Sequence, residues 1–179
     1  MIEKLKMFFA RFAQATNGVA AIEFALIAPV MITLFFASVE VSNILIVDRK
    51  VTTTSSAIAD LVAQDMELTD SEMADIFAVA ASLFEPFPVA GLSLTVSSII
   101  DDNGDPKVDW SDSYQGGADL GVGPDSLPTG ILTTGASIIV VEARYLHSTG
   151  VGHFLADEII MEDVFYARPR RTPVIERTN

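Results

Sequence analysis

Residues 18–30 read Gly-Val-Ala-Ala-Ile-Glu-Phe-Ala-Leu-Ile-Ala-Pro-Val, and they open a long apolar stretch. Residues 24–39 are 16 positions without a charge, and extension through Glu40 to Val47 makes 24. A helix needs about 20 mostly apolar residues to span a bilayer. The stretch therefore predicts a membrane-spanning helix, with Glu40 and Asn43 near one interface.

The charges of the chain are segregated along its length. Half of its 179 residues are hydrophobic, yet the formal net charge is -13. Residues 1–18 hold three bases and one acid, whereas residues 51–179 hold 20 acids and six bases. Bases ahead of a span predict a cytoplasmic N-terminus. Arg49 and Lys50 beyond the span weaken that prediction, or they hold its far end at the headgroups by snorkelling. The order of basic head, apolar stretch and acidic body indicates a membrane-anchored protein.

Composition also argues against several classes of protein. Nucleic-acid binding needs Lys and Arg on a surface, and the acidic body does not offer them. Cysteine is absent, which excludes a disulfide scaffold and a Cys-ligated metal site. A cleaved secretory signal is disfavoured because residues 37–40 read Ala-Ser-Val-Glu, without a well-placed pair of small residues.

Glu23 lies at the head of the apolar stretch. A carboxylate in hydrocarbon costs about 2.5–3.5 kcal/mol on insertion scales, so it usually has a partner and a purpose. One interpretation is a glutamate at the interface, solvated by headgroups. The other is that cleavage after Gly18 creates a free ammonium on Val19, four residues ahead and therefore on the same helix face. The ammonium of a neighbouring subunit is a further candidate partner.

The string from Asn17 to Pro29, with Gly18 followed by Glu23 and Phe24, resembles a type IV prepilin processing site. In particular it is similar to the TadE-like minor pseudopilins of the tight-adherence (Flp, type IVc) pilus. The resemblance implies cleavage by prepilin peptidase between Gly18 and Val19 on the cytoplasmic side. It also implies that Glu23 and Phe24 help to place the subunit in the filament.

The same resemblance implies partners and a location. The partners are prepilin peptidase, the major Flp pilin, other minor pseudopilins and the assembly platform in the bacterial inner membrane. The protein would cross that membrane once with its C-terminal domain in the periplasm, and it would serve an adhesive pilus outside the cell. Val19 stands where the major type IV pilins favour Phe, so N-methylation is not carried over to it.

Two further stretches support the resemblance. Residues 96–111, with a Gly-containing turn and Val-Asp-Trp-Ser at the end, are similar to a hairpin of TadE-like and TadG-like proteins. Residues 166–170, Tyr-Ala-Arg-Pro-Arg, resemble the terminal Arg-Pro-Arg of these proteins. The length favours TadE over TadG, which usually carries a larger outer domain.

The pattern of the chain predicts three segments and an α+β, pilin-like fold. These are a leader over 1–18, a transmembrane and assembly helix over 19–50, and a periplasmic or extracellular α+β domain over 51–179. Apolar residues at helical spacing continue the helix after residue 51, although Thr and Ser at 52–56 are poor helix formers. Thr69-Asp-Ser-Glu72 is typical of a capping box and predicts a second helix over 73–84.

An antiparallel sheet of about four strands is predicted for the rest of the chain. The strands are expected at residues 92–97, 107–110, 136–146 and 158–167, because these segments are rich in β-formers or alternate in polarity. Asn103-Gly104 is the strongest short signal for a hairpin turn. Residues 115–135 contain six Gly and two Pro, which predicts a loop.

Catalytic and metal-binding patterns are scarce in this sequence. It has no phosphate loop and no His-Glu-x-x-His, and its two histidines, His147 and His153, straddle glycines and predict no shared site. The chain is therefore not expected to be an enzyme or to bind a cofactor. A weak calcium candidate consists of oxygen-bearing residues at EF-hand-like spacing: Asp101, Asn103, Asp105, Asp109 and Asp112. The favoured interpretation is a hairpin turn, because Pro106 occupies the place of the invariant Gly.

Two alternatives stay open at this level. Residues 168–171, Arg-Pro-Arg-Arg, are interpreted as a solvated terminus, with a docking tail as the second choice. The alternative to a processed pilin is an unprocessed single-span membrane protein whose outer domain binds a ligand or another envelope protein. In that case the spacing from Gly18 to Glu23 is an accident.

Overall fold

The computed structural model describes residues 18–148 and 158–178, and it confirms the predicted α+β fold. Residues 1–17 of the predicted leader and His153 lie outside the described residues. The described part begins with helix α1 (Val19–Val62), strand β1 (Glu67–Leu68) and helix α2 (Asp70–Phe84). Five further strands follow, namely β2 (Leu92–Asp102), β3 (Asp105–Tyr114), β4 (Ser137–Ser148), β5 (Glu158–Ala167) and β6 (Glu176–Arg177).

The chain divides into two compact units, Met1–Val41 and Ser42–Asn179. Helix α1 contributes residues to both. In the first unit the described residues are helical throughout, with Gly18 in a 3-10 conformation directly before α1. The second unit contains the remainder of α1, helix α2 and every described strand.

Helix α1 runs without a break through the Thr and Ser residues at 52–56. Tertiary packing explains this, because Thr54 and Ser55 are fully buried and most helical stability in proteins comes from packing. The Ser55 hydroxyl also donates to the Thr52 carbonyl and to the Asp163 carboxylate on β5. The weak helix propensity of this segment is therefore offset by its contacts.

Helix α2 begins at the predicted capping box. The Glu72 amide donates to Thr69 Oγ1 at 3.3 Å, and the Thr69 amide donates to Glu72 Oε2 at 2.8 Å. The C-terminal end of α2 is capped from a distance, since Lys50 Nζ donates to the carbonyls of Leu83 and Glu85 at 2.8 and 2.9 Å. A cation at this end also suits the helix dipole.

Four strands form the predicted antiparallel sheet, and their order is β3-β2-β4-β5. The β2–β3 turn has positive φ at Asn103 (59°) and Gly104 (95°), which is the conformation of a type I′ hairpin turn. The Gly104 amide donates to Asp101 Oδ1 at 2.9 Å and closes the turn. The Asn-Gly signal in the sequence is therefore confirmed.

The sheet of the second unit is covered on both faces. On one face, Val51, Ile58 and Val62 of α1 and the apolar side of α2 pack on alternate residues of β2 and β4. On the other face, Ile99, Ile138 and Val140 lie under the loop that joins β3 to β4. The Val122 amide of this loop donates to the buried Glu142 carboxylate at 2.8 Å and fixes the loop to the sheet.

The C-terminal residues are not a solvated terminus, and that prediction was wrong. The Arg170 amide donates to the Ala63 carbonyl at 2.8 Å, and β6 pairs in parallel with β1. Ile175 is fully buried, and its carbonyl accepts from Trp110 Nε1 at 2.9 Å. The arginine side chains at 168, 170 and 171 are exposed, but the backbone of the tail completes the core of the second unit.

Candidate functional site

The predicted processing junction lies at the start of helix α1. Gly18 is half-buried and Val19, the first residue of α1, is exposed. No heavy atom lies within 4 Å of a Cβ built at Gly18. Glu23 and Phe24 are also exposed, and Glu23 forms no hydrogen bond or ion pair within residues 18–148 and 158–178. The junction is thus open on the side of the described residues, and the Glu23 carboxylate has no cation from this part of the chain.

Val19 and Glu23 are four residues apart on a continuous helix, so they share a face. In the uncut chain the Val19 nitrogen is a neutral amide. Cleavage after Gly18 would turn it into an ammonium at the positive end of the helix dipole, where a nearby carboxylate stabilises it. The structure thus places Glu23 within one helical turn of the charge that the processing hypothesis requires.

The first unit exposes apolar side chains around the whole circumference of α1. The exposed large residues are Val19, Ile22, Phe24, Leu26, Ile27, Val30, Met31, Ile32, Leu34, Phe35, Phe36, Val39 and Val41. A helix that is apolar all round requires apolar surroundings. By length and composition α1 is able to cross a membrane, and it is the one helix with that property among the residues that the structure describes. This indicates a membrane-anchored protein.

Polar groups within the apolar part of α1 bond to the helix itself. Thr33 Oγ1 donates to the Pro29 carbonyl at 2.8 Å, and Ser38 Oγ donates to the Phe35 carbonyl at 2.8 Å. Such internal bonds satisfy hydroxyl groups where water is absent. Pro29 lacks an amide hydrogen and removes one helical hydrogen bond, a loss that membrane helices tolerate.

Glu40 is the functional candidate whose environment the sequence did not anticipate. It was expected near an interface, yet only 5% of its surface is exposed, and neither carboxylate oxygen has a hydrogen-bond partner in the described part of the chain. Buried carboxylates normally have partners. The only sequence signal is its position, since it is the one acid between residues 24 and 47.

The acidic turn does not gather into a metal site. Asp101 closes the hairpin turn, and Asp102, outside the predicted set, pairs with Lys107 at 2.5 Å. Asp112 binds Arg177 through both carboxylate oxygens. Among the residues that the structure describes, no group of three or more His, Cys, Asp or Glu is arranged to hold a metal. The structure therefore supports the hairpin interpretation of these residues and offers no support for calcium.

Two other sequence interpretations change. The predicted strand ended at residue 146, but β4 includes His147, whose ring lies 6.2 Å from that of Tyr145. Lys50 was a candidate for snorkelling to headgroups, but it caps α2 instead. Its neighbour Arg49 is exposed and stays free for the membrane role that the sequence suggested.

Residues 18–60 match the model of a protein family described as TadE-like protein. The match begins at the predicted cleavage residue Gly18 and ends within α1. It does not reach the hairpin at 96–111 or the tail at 166–170, whose similarity remains an interpretation. No curated protein and no solved structure matches the chain. The resemblance drawn from Gly18, Glu23 and Phe24 is confirmed, and over residues 18–60 the chain is similar to a TadE-like protein.

Proposed function

We propose that the chain is a minor pilin, or pseudopilin, that prepilin peptidase cuts between Gly18 and Val19 for assembly of an adhesive Flp/Tad-type pilus. The observation that carries the proposal is the TadE-like match, which starts at Gly18. The open junction supports it, because a peptidase must reach the bond between Gly18 and Val19. Val19 is exposed, and no described heavy atom lies within 4 Å of a Cβ built at Gly18.

Electrostatics gives cleavage a physical consequence. Before the cut, Glu23 lies at the head of an apolar helix without a cation from the described residues. After the cut, the Val19 ammonium becomes available, on the same chain or on a neighbouring subunit. Pairing of the two groups would offset both the cost of the carboxylate near hydrocarbon and the unfavourable ammonium at the helix N-terminus.

The all-round apolar surface of α1 supports a role in assembly. In the membrane this surface faces lipid, and in a filament other apolar helices replace the lipid. We propose that the major Flp pilin and other minor pseudopilins supply those helices. The assembly platform of the inner membrane would take up the subunit, with residues 1–18 cytoplasmic and residues 51–179 periplasmic.

N-terminal sequencing of the protein from cells with and without prepilin peptidase tests this function. We expect a mature chain that begins at Val19 in the first strain and an uncut chain in the second. Mass spectrometry of sheared pili provides the second measurement. Intact residues 1–18 in assembled material would overturn the proposal and favour an unprocessed single-span protein whose outer domain binds a ligand or envelope partner.

A further inference from the structure

A small cavity lies where the segment after β5 passes the start of β4. Its volume is about 210 Å³. Three parts of the chain line it, namely residues from 131–136 at the end of the β3–β4 loop, Ser137 at the start of β4, and residues from 168–173. All of them belong to the second unit. At about 30 Å³ for each water molecule, the cavity has room for a group the size of about seven waters.

Hydrogen bonds between these segments hold the cavity in shape. The Ser137 amide donates to the Pro173 carbonyl at 2.8 Å, and Arg168 Nη2 donates to the Ile131 carbonyl at 2.9 Å. Each bond joins the segment after β5 to the residues that lead into β4. The Arg168 side chain is therefore positioned before a ligand arrives, which lowers the entropy cost of binding.

Arg168 gives the cavity a positive charge without a counter-ion. It forms no ion pair within residues 18–148 and 158–178, whereas its neighbour Arg170 pairs with Asp60. No Asp or Glu is among the described residues that line the cavity. The bond to the Ile131 carbonyl uses one of the five N–H donors of the guanidinium, so Arg168 retains donors for an anion.

Ser137 is a second lining residue with an unused donor. Its side chain is 3% exposed, and its Oγ has no hydrogen-bond partner in the part of the chain that the structure describes. Since buried hydroxyl groups normally have a partner, a missing partner beside a cavity indicates a polar occupant. Ile131, Ala136 and Pro169 also line the cavity, which favours an occupant with an apolar part.

We propose that this cavity binds a small carboxylate. The carboxylate pairs with Arg168 and accepts a hydrogen bond from Ser137, while a short apolar group contacts Ile131, Ala136 and Pro169. The planar guanidinium matches the geometry of a carboxylate, and one cation balances its single charge. The source of the ligand is either a free small acid or the C-terminus of another polypeptide. The inference concerns the second unit alone and holds whether or not the chain is a processed pilin.

N-acetylalanine is a suitable probe, because it carries a carboxylate beside a single methyl group. Its amide has nearly the same shape without the charge and is the matched control ligand. Saturation-transfer NMR on the full chain in a nonionic detergent measures binding, and thermal unfolding at constant ionic strength measures stabilisation. We expect saturable binding and a higher midpoint with the acid and neither effect with the amide. Equal results with the acid and the amide would overturn the proposal without the need for a variant.

Arg168→Gln keeps a donor for the Ile131 carbonyl but removes the cation. It should weaken binding of N-acetylalanine about tenfold or more, because hydrogen bonds between charged groups are the strong ones. Arg171→Gln is the matched control, since Arg171 is exposed and is not among the lining residues. Native affinity in Arg168→Gln, or an equal loss in the two variants, would overturn the proposal.

Ser137→Ala tests the hydroxyl group. It should weaken binding of N-acetylalanine without lowering the thermal midpoint of the ligand-free chain, because the hydroxyl has no partner to lose among the described residues. Unchanged affinity in this variant would overturn the assigned contact with Ser137.

Two further ligands identify the class and the source. Tighter binding of inorganic phosphate than of N-acetylalanine would overturn the assignment to a carboxylate. The peptide acetyl-Gly-Gly-Ala presents the same carboxylate at the end of a chain. Tighter binding of this peptide than of N-acetylalanine supports a polypeptide C-terminus as the source, and weaker binding supports a free small acid.

Discussion

The guanidinium of Arg177 meets the carboxylate of Asp112 in two parallel hydrogen bonds, Nε to Oδ2 at 2.8 Å and Nη2 to Oδ1 at 3.1 Å. Nη2 also pairs with Asp70 Oδ1 at 2.6 Å, and Nη1 donates to the Leu68 carbonyl at 3.1 Å. Hydrogen bonding to Asp112 is the main reason that the pKa of Arg177 is raised above its ordinary value. One side chain thus joins the end of the chain to β3 and to the start of α2.

Arg177→Lys should destabilise the second unit, because an ammonium cannot reproduce the forked contact with Asp112. Hydrogen bonds to charged groups contribute about 1.5–3 kcal/mol, so we expect a loss of that size in the free energy of unfolding. Urea denaturation of the full chain in detergent measures it. Trp110 is the only tryptophan and donates to the Ile175 carbonyl, so its fluorescence reports release of the tail.

Lys107→Ala is the matched control for this measurement. It breaks the ion pair with Asp102, in which both side chains are about half exposed, and exposed pairs contribute little. An equal loss of stability in the two variants would contradict a special role for Arg177.

Glu142 makes the stability of the second unit depend on pH. Burial raises the pKa of its carboxyl, against the lowering effect of hydrogen bonds from the Val122 and Leu120 amides. The folded state therefore binds a proton more readily than the unfolded state. The contribution of Glu142 to the free energy of unfolding is largest below its ordinary pKa of 4.5 and is lost as the pH rises through the folded pKa.

Glu142→Gln should therefore be more stable than the native chain at pH 7, since it buries no charge and keeps an acceptor for the Val122 amide. This advantage should shrink at pH 5, as the native carboxyl gains its proton. Urea denaturation at the two pH values measures the difference in free energy of unfolding between Glu142→Gln and the native chain. The contributions of other titrating groups cancel in this difference, because both chains contain them. If the stability advantage of Glu142→Gln grows as the pH falls, burial is not raising the pKa of the Glu142 carboxyl.

Gly91 has too little space for a side chain. A Cβ built there lies 2.6 Å from the Leu146 carbonyl oxygen and 3.1 Å from Tyr145 Cε2. Gly91→Ala must move β4 backbone, and overpacking of this kind costs about 1–3 kcal/mol. The control is Gly123→Ala, where nothing lies within 4 Å and φ is -108°. In thermal unfolding, Gly91→Ala should have a lower midpoint than the native chain and Gly123→Ala an unchanged one. Unchanged midpoints for both variants would show that the β4 backbone moves at little cost.

The elements that the sequence predicted correctly are those with a local signal. Thr69 and Glu72 are three residues apart and contact each other directly. Asn103 and Gly104 specify their turn by themselves. In each case the residues that carry the pattern also make the contact, so no knowledge of the remaining chain is needed.

The elements that were missed depend on distant partners. Strands β1 and β6 have two residues each, which is too short to show an alternation of polar and apolar residues. They also pair across more than 100 positions of the sequence. Snorkelling to headgroups was one alternative for Lys50, because no local pattern indicates that the carbonyls of Leu83 and Glu85 lie near it. The TadE-like match was predictable since Gly18 and Glu23 lie within one short motif, whereas the burial of Glu40 has no local pattern.

Glu23→Ala tests the electrostatic part of the proposed function. Cleavage after Gly18 should persist, because Glu23 lies five residues beyond that bond and the apolar helix is retained. Assembly should fall, since the new Val19 ammonium would lose the carboxylate that offsets it. The measurements are N-terminal sequencing of the membrane fraction and the amount of pilus sheared from the cells. Ile22→Ala, a change at an exposed neighbour on the same helix, is the control for loss of side-chain bulk. If Glu23→Ala begins at Val19 and forms a normal amount of pilus, the result contradicts the pairing of Glu23 with the Val19 ammonium. The proposed cleavage after Gly18 would still stand.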